Sequence, residues 1–217
     1  MNVHELVSGL AEPDVLRARF RALALLDFML AEISPRYDYQ PNWRPGVDLA
    51  TMEDESGDRY GIVFDPAGVL LYGFSYESDA ARERPRAHWP GLLDGLPAGL
   101  AHYPAAPELQ SDGFFEATVC AWREAGASTW LCGPVVFAEG QSDGAGWLFG
   151  VLADGSAEAV STDAEGYHER PVNRDAVAAI LAGSPLTRWA VAALEPALDW
   201  ETSAAHAREI GHSVADI

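Results

Sequence analysis

The sequence predicts an α+β fold in which a largely antiparallel sheet of about six strands lies between an N-terminal helix and C-terminal helices. An amphipathic helical pattern opens the chain, short strand-like runs fill its middle, and three capped helical segments close it. Short connections between successive strands indicate antiparallel neighbours. A length of 217 residues, 48% of them hydrophobic, suits one globular unit, so we expect a single α+β domain over residues 1–217.

The N-terminal helix is predicted over residues 13–33, where apolar residues recur at steps of three and four. Pro13 suits the first turn of a helix, and Ser34 with Pro35 ends it. The apolar stripe predicts that one face of this helix packs on the sheet.

The segment after the helix, Tyr37 to Gly46, is predicted to be a proline-punctuated loop that carries three aromatic residues. Such a loop either packs on the core or forms an exposed binding rim. Tyr39 and Trp43 are its candidate binding residues.

A β-hairpin is predicted over residues 60–76. The runs Tyr60–Phe64 and Val69–Tyr76 flank the sequence Asp65-Pro66-Ala67-Gly68. Its Asp, Pro and Gly occupy the favoured first, second and fourth positions of a type I turn.

Residues 79–113 are predicted to be irregular, apart from a short helical turn near Leu92 to Leu96, because prolines recur and no periodic pattern is present. The segment contains an arginine cluster formed by Arg82, Arg84 and Arg86. Structureless stretches of this length are uncommon in compact domains, so it is either a connection packed over the sheet or a functional loop.

An antiparallel meander is predicted over residues 114–161. Its four strands are Phe114–Arg123, Trp130–Phe137, Trp147–Leu152 and Ala157–Ser161, the last two joined by a hairpin at Asp154-Gly155. A turn centred on Gly126 would place Trp122 opposite Trp130 and Cys120 opposite Cys132. The facing cysteines are then either small core residues or a redox pair.

The C-terminal part, residues 173–211, is predicted to be helical. Asn173, Thr187 and Thr202 are the expected N-caps of its three helices, and Gly211 follows the last of them.

The charge narrows the possible functions. The chain has 33 acidic residues, its 14 basic residues are all arginine, and its net charge is −19. Lysine Schiff-base chemistry and the phosphate-loop lysine are excluded. The negative charge disfavours nucleic acid and anionic membranes, and it either keeps the protein in solution or attracts basic macromolecules and cations.

We expect a cytoplasmic protein without cofactor or metal. No basic region precedes an apolar stretch at the N-terminus, and the longest apolar run, Ala22 to Ile33, is interrupted by Asp27. Two cysteines do not make a disulfide framework. His206 and His212 are six residues apart, which does not match the spacing of two zinc ligands on one helical face.

Most of the sequence resembles an uncharacterised family of bacterial proteins. The resemblance rests on the run from Ile62 to Ser78, on Trp89-Pro90-Gly91, on the run from Thr118 to Arg123, and on the N-terminal helix with the loop from Ser34 to Pro41. It implies a shared fold and no particular activity. The family usually has His where this chain has Tyr76, so a role that needs an imidazole there does not carry over.

The function predicted from these features is that of an acidic binding module of the immunity-protein type, which masks a basic partner such as a toxin nuclease. Candidate contacts besides Tyr39 and Trp43 are Tyr76, Glu77, His88 and Trp89, around the irregular segment. A hydrolase-like enzyme that uses Glu77 and His88 is one alternative. A small-molecule or carbohydrate binder that uses the tryptophans is another. The sequence does not predict the oligomeric state.

Overall fold

One six-stranded antiparallel sheet, whose strands follow one another in chain order, forms the centre of the structure. The computed structural model describes residues 1–215. The strands are β1 (Tyr37–Arg44), β2 (Val47–Glu53), β3 (Arg59–Asp65), β4 (Gly68–Phe74), β5 (Val119–Glu124) and β6 (Leu131–Cys132). The predicted α+β class and the hairpin, which is β3 and β4, are confirmed.

Eight α-helices accompany the sheet within residues 1–215: α1 (Val3–Gly9), α2 (Pro13–Leu30), α3 (Asp79–Glu83), α4 (Ala145–Asp154), α5 (Ala157–Tyr167), α6 (Arg174–Leu181), α7 (Arg188–Leu194) and α8 (Trp200–Glu209). None of these helices combines the length and the apolar character needed to cross a bilayer. The predicted N-terminal helix is α2, which ends three residues earlier than expected because Ala31 is extended.

The C-terminal helices follow the predicted caps with one exception. The side chains of Asn173 and Thr187 accept hydrogen bonds from backbone N–H groups at the starts of α6 and α7. Thr202 is not a cap, which corrects the prediction. Asp199 caps α8 instead, and its carboxylate accepts the Thr202 N–H at 2.9 Å.

The segment predicted to be an aromatic loop is strand β1, and β2 was not predicted at all. β1 is an edge strand, and its register with β2 is irregular between Gln40 and Arg44. Pro41 lies within that irregularity, where a ladder hydrogen bond is not required. The prolines therefore marked an edge strand and not a loop.

The predicted strands Trp147–Leu152 and Ala157–Ser161 are wrong, because both runs are helical. Gly155 adopts a left-handed conformation, with φ of 62°, and ends α4. Ser156 then caps α5 by accepting the Ala159 N–H. The Asp-Gly pair is thus a helix C-cap and not a hairpin turn, so the predicted meander over residues 114–161 reduces to β5 and β6.

The predicted pairing between β5 and β6 is wrong by one residue. Ala121 is opposite Cys132, and Trp122 is opposite Leu131. Residues directly opposite each other point to the same face, and neighbours along a strand point to opposite faces. Cys120 and Cys132 therefore lie on opposite faces of the sheet, and both are free thiols.

One face of the sheet packs against helices. Phe20 of α2 makes edge-to-face contacts with the rings of Tyr37 and Tyr60. The Tyr60 ring also contacts Phe149 of α4. Burial of these aromatic and aliphatic side chains supplies the hydrophobic stabilisation of this layer.

The opposite face is covered by residues 84–116, which we call the cover segment. Leu92, Leu100, Tyr103 and Leu109 are all buried within it. The Tyr103 hydroxyl donates to Asp65 at the end of β3 at 2.5 Å. The irregular segment is therefore packed over the sheet, which is one of the two roles predicted for it.

Candidate functional site

A cleft of about 670 Å³ opens at the end of the sheet where β1 and β3 begin and β2 ends, and residues 108–111 and Glu116 of the cover segment also line it. We call it the acidic cleft. It is lined by Ser34, Pro35, Arg36, Asp38, Thr51, Met52, Glu53, Asp54, Glu55, Arg59, Tyr60, Tyr72, Glu108, Leu109, Gln110, Ser111, Glu116 and Tyr167.

The strand register forms the floor of the acidic cleft. Asp38, Thr51, Gly61 and Tyr72 are paired in sequence across β1 to β4, so their positions share one face. A Cβ atom at Gly61 would collide with the end of the Tyr72 ring. The glycine therefore leaves room for this ring beside β3.

The acidic cleft is rich in carboxylates. Its six acidic residues are Asp38, Glu53, Asp54, Glu55, Glu108 and Glu116, and its two basic residues are Arg36 and Arg59. Arg59 pairs with Glu116, and Glu108 pairs with Arg44 at 2.8 Å. These pairs neutralise part of the lining.

Arg36 is held in a buried ion cluster at one end of the cleft. Its guanidinium lies 3.0 Å from Asp163 and 3.4 Å from Asp27. The same group lies 3.7 Å from the ring centroid of Tyr167, which lines the cleft. Arg36 is therefore occupied by its own neighbours, and it positions the Tyr167 ring.

Asp27 is the acceptor at the centre of this cluster. It accepts the backbone N–H groups of Arg36 and Tyr37 and the Nε2–H of His168, the last at 3.0 Å. Burial by itself would raise the pKa of Asp27. The His168 hydrogen bond and the Arg36 charge outweigh burial and hold this pKa below its usual value.

Four carboxylates of the cleft remain without a basic partner within 4 Å in the described part of the chain: Asp38, Glu53, Asp54 and Glu55. Asp38, Glu53 and Glu55 are exposed, and Asp54 is half-buried. Glu55 lies in a local turn, which is stabilised because the Asp54 carboxylate accepts hydrogen bonds from the backbone N–H groups of Ser56 and Asp58.

The electrostatics of Tyr167 are consistent with an excess of negative charge. Burial raises the pKa of the Tyr167 phenol, and the carboxylates of Glu55, Asp27 and Asp54 act in the same direction against Arg36. Neither histidine nor cysteine lines the acidic cleft. Its carboxylate and phenol groups suit the binding of a cation.

A second cavity, of about 380 Å³, lies beside the first, and Glu116 lines both. We call it the arginine pocket. It is lined by Phe74, Tyr76, Ala80, Ala81, Arg82, Arg84, Pro85, Arg86, Ala87, Trp89, Phe114, Glu116, Ala117 and Thr118. Two predicted binding residues, Tyr76 and Trp89, are thus brought together here.

The other predicted binding residues lie elsewhere. Tyr39 is buried, and its hydroxyl donates to Asp48 at 2.6 Å. Trp43 is partly buried, with its ring 6.4 Å from that of Tyr103 and with Arg44 stacked on it. Both side chains pack within the protein, and neither lines a cavity described above.

Glu77 and His88 do not form the pair that the enzyme hypothesis requires. His88 donates Nε2–H to the Phe115 carbonyl at 2.6 Å, and its ring stacks on Phe114. Glu77 is exposed. Neither residue lines the acidic cleft or the arginine pocket, and within residues 1–215 no hydrogen bond joins them.

The histidines and cysteines are engaged separately. His206 stacks on Phe28 at 4.0 Å, and His212 is hydrogen-bonded to the Ser184 carbonyl. Cys132 lies 3.3 Å from Nδ1 of His4. No group of three or more potential metal-binding side chains converges in the part of the chain that the structure describes.

Sequence reasoning missed the carboxylates of the acidic cleft. Asp38 and Glu53 alternate with buried residues along β1 and β2, which is the usual signature of a half-exposed strand. The prediction of a loop at β1 removed this signal, because alternation indicates a common face only within a strand.

The chain was compared with protein-family models, with curated proteins and with solved structures, and none of the three comparisons gives a match.

Proposed function

We propose that this protein binds a basic protein partner, and that an arginine- or lysine-rich segment of the partner enters the acidic cleft. The observation that supports this function is the set of three exposed carboxylates, Asp38, Glu53 and Glu55, which have no basic partner at the edge of a preformed cavity. A guanidinium or ammonium group entering there would form charge-assisted hydrogen bonds with these carboxylates.

The arginines of the cleft favour this proposal because they are already neutralised. Arg36 is paired with Asp27 and Asp163, and Arg59 is paired with Glu116. An incoming cation therefore meets a net negative lining. Tyr167 adds an aromatic ring, and such rings stack well with guanidinium groups.

A net charge of −19 would also speed the encounter with a basic partner, since opposite charges steer diffusing proteins together. Masking a basic partner, as an immunity protein masks a toxin, requires fast and selective association and no catalysis. The immunity-type role is therefore the version of this function that we favour.

The proposal is tested with a rhodamine-labelled decapeptide of alternating arginine and serine, titrated with the protein and followed by fluorescence anisotropy. The test variant is D38N/E53Q/E55Q, which removes the three exposed carboxylates that have no basic partner. Exposed ion pairs contribute about 0.2–1 kcal/mol each, so we expect about tenfold weaker binding at low salt. The affinity of the unmodified protein should also fall as salt is added.

The matched control is D94N/E124Q/E139Q, which removes the same number of charges from exposed positions outside the cleft. It makes the protein less negative by the same amount as the test variant does, and it should weaken peptide binding by less than threefold. Equal weakening by both variants would show that the overall charge, and not the cleft, attracts the peptide. An undetectable interaction at low salt would also count against the function.

A further inference from the structure

The arginine pocket is the one place where several exposed arginines gather around an apolar cavity in the described residues. Arg82, Arg84 and Arg86 all line it, and all three are exposed. The rest of its lining is mainly aromatic rings and alanines, so an apolar interior is combined with a basic rim.

These arginines differ from most others in the chain because they lack close acidic partners. Arg82 and Arg84 have no carboxylate within 4 Å among residues 1–215, and Arg86 is 3.9 Å from the exposed Asp112. Acidic residues outnumber arginines 33 to 14 in this protein. Two arginines without a carboxylate within 4 Å, and a third with only a long ion pair, thus create a local positive region on a negative protein.

The aromatic wall of the pocket is fixed in place. The Trp89 indole N–H donates to the Val136 carbonyl at 2.9 Å, and its ring stacks on Phe137 at 5.0 Å. Arg84 lies 5.5 Å from the centroid of the same indole. Because the ring is held by these contacts, a ligand would not have to order it on binding.

The backbone of the rim is also unusual. Arg86 has φ of 57°, and the Asp112 backbone, to whose carbonyl it donates at 2.9 Å, has φ of 48°. Left-handed conformations are uncommon outside glycine and cost free energy. This strained pair holds the Arg86 side chain at the edge of the pocket.

We propose that the arginine pocket binds a small aromatic carboxylate. The flat body of the ligand would lie against Phe74, Trp89 and Phe114, and its carboxylate would be bound by Arg82 and Arg84. The planar fork of a guanidinium matches a carboxylate, and the aromatic walls suit a planar ring. This site is separate from the function proposed for the acidic cleft and does not depend on it.

The test uses 2-naphthoate as the probe and 2-naphthamide as its neutral counterpart, both titrated into the full chain by isothermal titration calorimetry. We expect 2-naphthoate to bind at least tenfold more tightly than 2-naphthamide, because only the carboxylate engages the arginines. Equal affinity for the two compounds, or no binding of 2-naphthoate at millimolar concentration, would overturn the proposal.

Two variants locate the binding. R82Q/R84Q should lower the affinity for 2-naphthoate at least tenfold. The control R188Q/R208Q removes two exposed arginines from outside the pocket, and it should change this affinity by less than twofold. A87F keeps the three arginines but fills the cavity, and it should abolish binding. If R82Q/R84Q or A87F binds 2-naphthoate as tightly as the unmodified protein, the site is wrong.

The basic decapeptide separates the two proposals. R82Q/R84Q should bind that peptide at least as well as the unmodified protein does, since the acidic cleft is intact. If the naphthoate experiment fails, the proposal for the acidic cleft therefore still stands. If the peptide experiment fails, the proposal for the arginine pocket still stands.

Discussion

Replacing Asp27 with asparagine should destabilise the protein strongly, because this carboxylate holds together three elements around the acidic cleft. It lies on α2 with an exposed fraction of 3%. It accepts hydrogen bonds from Arg36 and Tyr37 at the start of β1 and from His168 after α5. Asparagine has the same shape, but it has one acceptor oxygen, no charge, and an NH₂ group that faces these donors.

The magnitude follows from the number of interactions lost. Hydrogen bonds to charged groups contribute about 1.5–3 kcal/mol each, and removal of one partner from a buried ion pair costs about 3–5 kcal/mol. The remaining amide oxygen of asparagine keeps part of this network. We therefore expect D27N to lower the free energy of unfolding by about 3 kcal/mol at pH 7.

The loss should depend on pH. The pKa of Asp27 is lowered in the folded state, so its contribution is present above the unfolded pKa of about 4 and is lost as pH falls through the lower folded pKa. D27N has no such contribution to lose. The difference in stability between the unmodified protein and D27N should shrink in acid.

The assay is urea unfolding followed by tryptophan fluorescence at pH 7 and at pH 3. D94N is the control, because Asp94 is exposed on the cover segment, and it should change stability by less than about 0.5 kcal/mol. If D27N also stays within that range at pH 7, the buried cluster does not hold β1 and α5 together as described.

Three further predictions concern single residues. N-ethylmaleimide should modify Cys132 and spare the buried Cys120 in the native protein, as read by peptide mass spectrometry; modification of both at equal rates would contradict the sheet register. G61A should lower the midpoint of thermal unfolding by an amount equivalent to about 1–3 kcal/mol, because its methyl group collides with the Tyr72 ring, and an unchanged midpoint would refute that contact. G155A should cost about 1 kcal/mol in urea unfolding, since alanine is strained at φ of 62°, and a stabilised variant would contradict the C-cap.

The features that sequence reasoning predicted well are those whose local signals have a single interpretation. The apolar stripe of α2, the turn between β3 and β4, and the caps at Asn173 and Thr187 each follow from residues within one short segment. Tertiary contacts agree with these local preferences, so the predicted elements are present.

The features that it predicted wrongly have signals with two interpretations. The apolar run Trp147–Leu152 suits a buried strand or a short helix, and the Asp-Gly pair after it suits a hairpin or a helix end. In the structure this run belongs to helix α4, and its residues Leu148 and Phe149 pack against Gly73 of β4. Such contacts are distant in sequence and cannot be read from a short window.

The candidate sites were predicted only in part for the same reason. Tyr76 and Trp89 were predicted because aromatic residues at a strand end or in an irregular segment are often exposed to a ligand. The fold brings both residues to one pocket. The acidic cleft depends on the pairing of β1 with β2 and on where the cover segment ends. Both are properties of the sheet as a whole.

The most direct test of the acidic cleft is an NMR titration of the ¹⁵N-labelled protein with the unlabelled arginine-serine decapeptide. We predict that the amide shifts change mainly in residues 51–55, 108–111 and at Asp38, Arg59 and Tyr167, which line the cleft. Shifts spread evenly over the acidic surface, or confined to other faces of the protein, would contradict the proposal that this cleft receives a basic partner.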